Sequence, residues 1–120
     1  MLTLALVLAG LGALVHVYIF WLETVAFDTA GRRAFGVSVA DAATMRPWAF
    51  NQGFYNLFLA IGALGGLIWG GDKGHAIALF ACACMAGAGI VLLASDRRML
   101  RAAATQAVPP ILALVLAAIL

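Results

Sequence analysis

Charged side chains are scarce in this sequence. Seven Lys and Arg and five Asp and Glu make up 10% of its 120 residues, where a soluble domain carries about 25%. With 66% hydrophobic residues and a mean hydropathy of +1.09, the chain reads as a membrane protein. The shortage excludes a nucleic-acid surface, which needs a basic stripe on a solvated fold. It also excludes a soluble catalytic domain. Four spans of roughly 20 residues use almost the whole length, so any chemistry takes place in or at the bilayer. Cysteine is nearly absent: Cys82 and Cys84 stand two residues apart in an apolar run. On a helix they point about 200° apart and cannot bond to each other, so they read as small buried residues. A phosphate loop, a nucleophile elbow and the HExxH and CxxC spacings are missing. His16 with Glu23 falls short of the three or four ligands zinc takes, so no metal site and no cofactor is implied.

What is present is four apolar runs. The first covers about residues 2–27. It has no basic n-region and is too long for a signal peptide, so it is expected to be a retained first helix. A polar connection from Asp28 to Arg46 follows, in which Ser38-Val39-Ala40-Asp41 resembles a capping box opening a short helix along the membrane surface. Pro47 suits the first turn of the second span, about 47–69. Gly70-Gly71-Asp72-Lys73-Gly74 reads as a tight turn. The third span is about 75–95, Asp96-Arg97-Arg98 is the next turn, and the fourth span is about 100–120. The expected fold is all-α: a single-domain (1–120) integral membrane four-helix bundle with short loops and a short interfacial helix between the first two spans.

Basic residues orient it. The first and third loops carry Arg32, Arg33, Arg46, Arg97, Arg98 and Arg101, and the second only Lys73. Because Lys and Arg concentrate in cytoplasmic loops, both termini are expected on the non-cytoplasmic side. Gly62, Gly66 and Gly70 form a small-xxx-small row on the second span, and Ala83 with Gly87 does so on the third. Such rows let helices approach closely in lipid, within the bundle or toward a homo-oligomer or larger complex. Trp21, Trp48 and Trp69 lie near span ends, as interfacial anchors do.

Against this apolar ground a few polar residues stand out. A charge at a helix centre costs roughly 2.5–3.5 kcal/mol on insertion scales, so such residues face the bundle interior. The topology puts Glu23, His16, Asn51, Gln52, Asn56 and Gln106 in the cytoplasmic half. His16 and Glu23 are two turns apart, roughly 10 Å along one helix face, and are the expected acid–base pair. Asn51, Gln52, Tyr55 and Asn56 share a face about 140° wide, one residue every 100°, and with Gln106 are the expected ligand-binding set. Pro109 and Pro110 release the carbonyls of Thr105 and Gln106 from helical bonding.

These residues also carry a resemblance. His16-Val17-Tyr18-Ile19-Phe20-Trp21-Leu22-Glu23, Phe35-Gly36 and Asn51-Gln52-Gly53-Phe54-Tyr55-Asn56-Leu57-Phe58-Leu59-Ala60 resemble the signature of domain-of-unknown-function family 1304, small bacterial membrane proteins. Gln106 and the prolines after it are similar to the family's last helix, with Ala107 where glycine is expected. The resemblance implies a four-helix protein of the bacterial inner membrane in which His16, Glu23, Asn51, Gln52 and Asn56 matter; it implies no activity. Three function classes remain. One is binding of a small amphipathic or lipid-like molecule in a cytoplasm-facing polar pocket, with isomerase- or cyclase-type acid–base chemistry. Another is a proton-coupled carrier, and the third an accessory subunit of a larger membrane complex.

Overall fold

The computed structural model describes all 120 residues. It is all-helical: α1 (Leu2–Glu23), α2 (Arg32–Phe35), α3 (Val39–Trp69), α4 (Gly71–Ser95) and α5 (Leu100–Ala118). α1, α3, α4 and the stretch Arg97–Ala118 are each long and apolar enough to cross a membrane. The long helices form an antiparallel ring in the order α1, α3, α4, α5, with α5 closing against α1. The bundle is 49 Å long.

Small residues make this ring possible. Of the seventeen buried hydrophobic residues thirteen are alanine, so the backbones approach closely and van der Waals contact replaces the bulky core of a soluble bundle. Large side chains point outward instead. Leu4, Val7, Leu11, Leu14 and Tyr18 step along α1 at three- and four-residue intervals, each about half exposed or more, the stripe a helix presents to lipid. Glycines set the closest contacts. A Cβ on Gly66 of α3 would lie 2.5 Å from Gly74 O and 2.7 Å from Ala78 N of α4. One on Gly89 of α4 would lie 2.5 Å from the Cβ of Ala107 on α5. The alanine at position 107 is thus accommodated by a glycine on its neighbour. Cys82 packs with Ala9 and Ala113, and both cysteines are free.

The structure differs from the sequence reading at three element boundaries and in the facing of one pair of small residues. α1 stops at Glu23, not at Phe27. Thr24 leaves helical geometry while its hydroxyl bonds Phe20 O at 2.7 Å, and Phe27–Gly31 makes a π-helical turn. Gly31 sits directly under the Leu22 carbonyl, where any side chain would block the return of the chain. Ser38 does cap a helix, accepting from Asp41 N at 3.1 Å, but that helix continues through Pro47 into the second span as one unit of 31 residues. At 1.5 Å per residue it is about 46 Å long against roughly 30 Å of hydrocarbon. The carbonyl deprived of a partner by Pro47 falls in the first turns, where water can reach it. The short helix between the first two spans is therefore α2, with the π turn before it. The glycine turn is only Gly70 and Gly71, with φ of 72° and 61°, and α4 starts at once. Finally, Ala83 and Gly87 are exposed, so that pair faces outward, and α4 uses Gly74, Ala78, Ala81, Met85 and Gly89 inward.

Candidate functional site

Glycine contacts also decide where the bundle opens. A Cβ on Gly53 of α3 would meet Thr24 Cγ2 at 2.6 Å and Glu23 Cβ at 3.1 Å, so α3 is drawn onto the end of α1. Gly89 draws α4 onto α5 at the same end of the molecule. The α1/α3 and α4/α5 pairs are each tight there, and a cavity of about 710 Å³ lies between them. Its walls on α3 step through Met45, Ala49, Gln52 and Asn56, those on α4 through Ala88 and Leu92, and those on α1 through Ile19 and Glu23. Three- and four-residue steps are the signature of one helix face turned to a common space. Phe27, Phe35 and Val37 roof it.

The roof is tied down from outside the spans. The Arg46 guanidinium on α3 holds the Asp28 carboxylate through both of its oxygens. Arg32 reaches back to Asp28 O at 3.4 Å and to Val37 O at 3.3 Å. Arg46 keeps the Asp28 carboxyl below its ordinary pKa by hydrogen bonding first and charge second. At the neighbouring turn Asp96 caps Arg98 N at 3.0 Å and binds its guanidinium, which lowers the Asp96 carboxyl too.

Glu23, Asn51, Gln52, Asn56 and Gln106 all line the cavity. Asn56 is buried and donates through Nδ2 to Glu23 Oε1 and to Gln52 O. That clamp fixes the carboxylate on the cavity wall and leaves its second oxygen without a protein partner. The side-chain amides of Asn51, Gln52 and Gln106 make no hydrogen bond within the protein either. Asn51 and Gln52 are exposed and Gln106 is half-buried, so each amide is open to a partner from outside the protein.

Two expected site residues lie elsewhere. Tyr55 is 60% exposed: one residue before Asn56 it is rotated about 100° around the helix, onto the outer side with Phe58. His16 is fully buried but is not on the cavity wall. Its Nδ1 lies 2.8 Å from Gly12 O. A carbonyl only accepts, so Nδ1 carries the proton and Nε2 presents a lone pair; Nε2 is buried without a partner. His16 and Glu23 therefore do not form one constellation across the cavity. The apolar half of the lining escaped sequence reading, although the i, i+4 steps Ile19–Glu23 and Ala88–Leu92 and the Phe35-Gly36 pair were its signals. No three His, Cys, Asp or Glu side chains come together as metal ligands.

The family described as "Protein of unknown function (DUF1304)" matches residues 10–118. The chain belongs to this family. The match runs from Gly10 within α1 to Ala118 at the end of α5 and includes every residue that lines the cavity. Neither a curated protein nor a solved structure matches the chain.

Proposed function

We propose that the protein binds a small amphipathic or lipid-like molecule in the cavity at its Arg-bearing end, where Glu23 gives or takes a proton on it. One observation carries this reading: a single carboxylate, held by Asn56, shares a largely apolar space of about 710 Å³ with three unpartnered carboxamides. Small-molecule sites occupy roughly 300–1,000 Å³ and combine apolar walls with a few placed polar groups. The rim supports access from the bilayer. Trp48 is 78% and Met45 43% exposed, and Ala88 faces them from α4, also exposed. The ligand's chain then lies among apolar walls and its polar end reaches Glu23. The chemistry open to such a site is proton transfer on a bound amphiphile, as in isomerisation, cyclisation or hydration. In this reading the Arg-bearing loops face the cytoplasm of a bacterial inner membrane and both termini lie outside.

The test is a comparison of wild type and Glu23→Gln, both reconstituted in nanodiscs from the same membranes. Their co-purifying small amphiphiles are extracted and measured by mass spectrometry. Wild type should hold a species depleted in the variant at unchanged thermal stability. Equal amphiphile content overturns the reading. Unfolding of the variant with a normal load per folded molecule makes Glu23 structural. Proton-dependent flux in proteoliposomes would turn the same cavity into a carrier's. Orientation is read separately, by cysteine accessibility at positions 33 and 73 in a background lacking Cys82 and Cys84; labelling of position 73 from the cytoplasm alone reverses it.

A further inference from the structure

We infer that His16, buried one turn below the lined cavity, extends its deep end when a ligand enters, its Nε2 accepting a hydrogen bond from the ligand, and that the ligand is an amphiphile carrying a hydroxyl or an amine. The inference rests on the proposed ligand site and adds which polar group enters it.

Three observations converge on it. With Nδ1 committed to Gly12 O, Nε2 is an acceptor only, and no protein group donates to it. Next is register. A Cβ on Gly12 would touch Pro110 Cδ at 3.3 Å and Met85 Sδ at 3.6 Å, so Gly12, Pro110 and Met85 share one layer. One helical turn toward the cavity brings α1 to His16, α5 to Gln106 and α4 to Gly89. Gln106 lines the cavity, and its Cγ would lie 3.3 Å from a Cβ on Gly89. The imidazole thus stands one layer below the lined cavity, on the α1 face that carries the cavity residues Ile19 and Glu23 three and seven positions further on. Last is chemical complementarity. Glu23 at one level and His16 at the next both present acceptors. A hydroxyl or amine can donate to either of them, an ether or ester has nothing to donate, and an anionic head would face a carboxylate and a bare lone pair.

The sequence holds two histidines, so ring-15N-labelled protein in phosphatidylcholine nanodiscs gives a readable spectrum, with His75→Gln assigning the His16 signals. The probes are 1-dodecanol and its methyl ether. Dodecanol should move the His16 Nε2 resonance upfield, saturably, while the ether leaves it in place. His16→Phe, which removes the lone pair and keeps an aromatic ring, should bind dodecanol about five- to tenfold more weakly, with the ether unaffected. If His16→Phe fails to fold, the wild-type spectrum alone decides. A His16 signal that dodecanol does not move overturns the inference. If Glu23→Gln abolishes dodecanol binding in that case, the cavity is still a ligand site and only the role of His16 falls. If neither substitution changes dodecanol affinity, both readings fall.

Discussion

At the Gly70–Gly71 end, α3 and α4 lie so close that a methyl on Gly66 would reach 2.5 Å from Gly74 O. At the Arg-bearing end the same two helices stand on either side of a 710 Å³ cavity. The glycines and alanines that make contact at the first end are not absent from the second; they are turned to different neighbours. Gly53 faces α1 and Gly89 faces α5, so each helix is drawn away from the other. The positions left facing the gap include, beside Ala49 and Ala88, Met45, Gln52, Asn56 and Leu92, which are too large or too polar for close contact. In a bilayer, where burying apolar surface gives no advantage over lipid, the placement of small residues decides which helix pairs close, and so where a cavity remains.

The sharpest way to break this comparison is at the tight end. Gly66→Leu should destabilise the protein by about 3 kcal/mol, the upper end of overpacking costs, because the atoms it meets are backbone. Gly65, with nothing within 4 Å of its added Cβ, is the control. Gly65→Ala should be neutral or stabilising by about 0.5–1 kcal/mol. Equilibrium unfolding in detergent micelles measures both, and equal effects would dissolve the distinction between inward and outward glycines.

A smaller loss, about 2 kcal/mol, is expected from Gly89→Ala, whose methyl meets that of Ala107. Adding Ala107→Gly moves the small residue to the other helix and should restore most of the loss. A double variant no better than the sum of its parts would show that Gly89 is not what holds α4 to α5.

Filling the open end should cost less still. Ala88→Phe projects from an exposed position into the gap, so stability should change by less than about 1 kcal/mol, the aromatic replacing lipid contacts. The co-purifying amphiphile should nonetheless disappear from its mass spectrum. Undiminished ligand would place the ligand elsewhere on the molecule.

The smallest effect belongs to the roof. Asp28 and Arg46 are exposed, and such pairs contribute little. The folded pKa of Asp28 lies below its unfolded value. Its contribution is therefore complete above the ordinary aspartate pKa of about 4 and is lost as pH falls from there through the lowered value. Thermal melts of Asp28→Asn should differ from wild type at pH 7 and converge with it under acid. A difference that grows as pH falls would reverse the assignment.

The polar half of the candidate site could be read from the sequence for an energetic reason. Glu23, Asn51, Gln52, Asn56 and Gln106 are costly in an apolar run, so each stands out, and a four-span topology is enough to set them at one level, although Asn51 and Gln52 keep an exposed side. Tyr55 and His16 could not be assigned this way. A tyrosine is tolerated toward lipid as readily as toward a cavity, and an imidazole can be held by its own helix, as Gly12 holds His16. The apolar lining carried no such cost, so only their i, i+4 spacing to Glu23 and Ala88 set Ile19 and Leu92 apart from residues that face lipid.

The four membrane helices, the glycine turn and the Arg-bearing loops were determined by the sequence alone. Transfer of side chains between water and lipid depends on each residue and hardly on its neighbours in space. The end of α1 at Glu23, the unbroken course of α3 from Ser38 through Pro47, and the opening between α3 and α4 were decided only by tertiary structure. Hydropathy measures the cost of placing a side chain in lipid. It does not record where the backbone turns back, as it does when Gly31 passes beneath Leu22, or which neighbour a glycine admits.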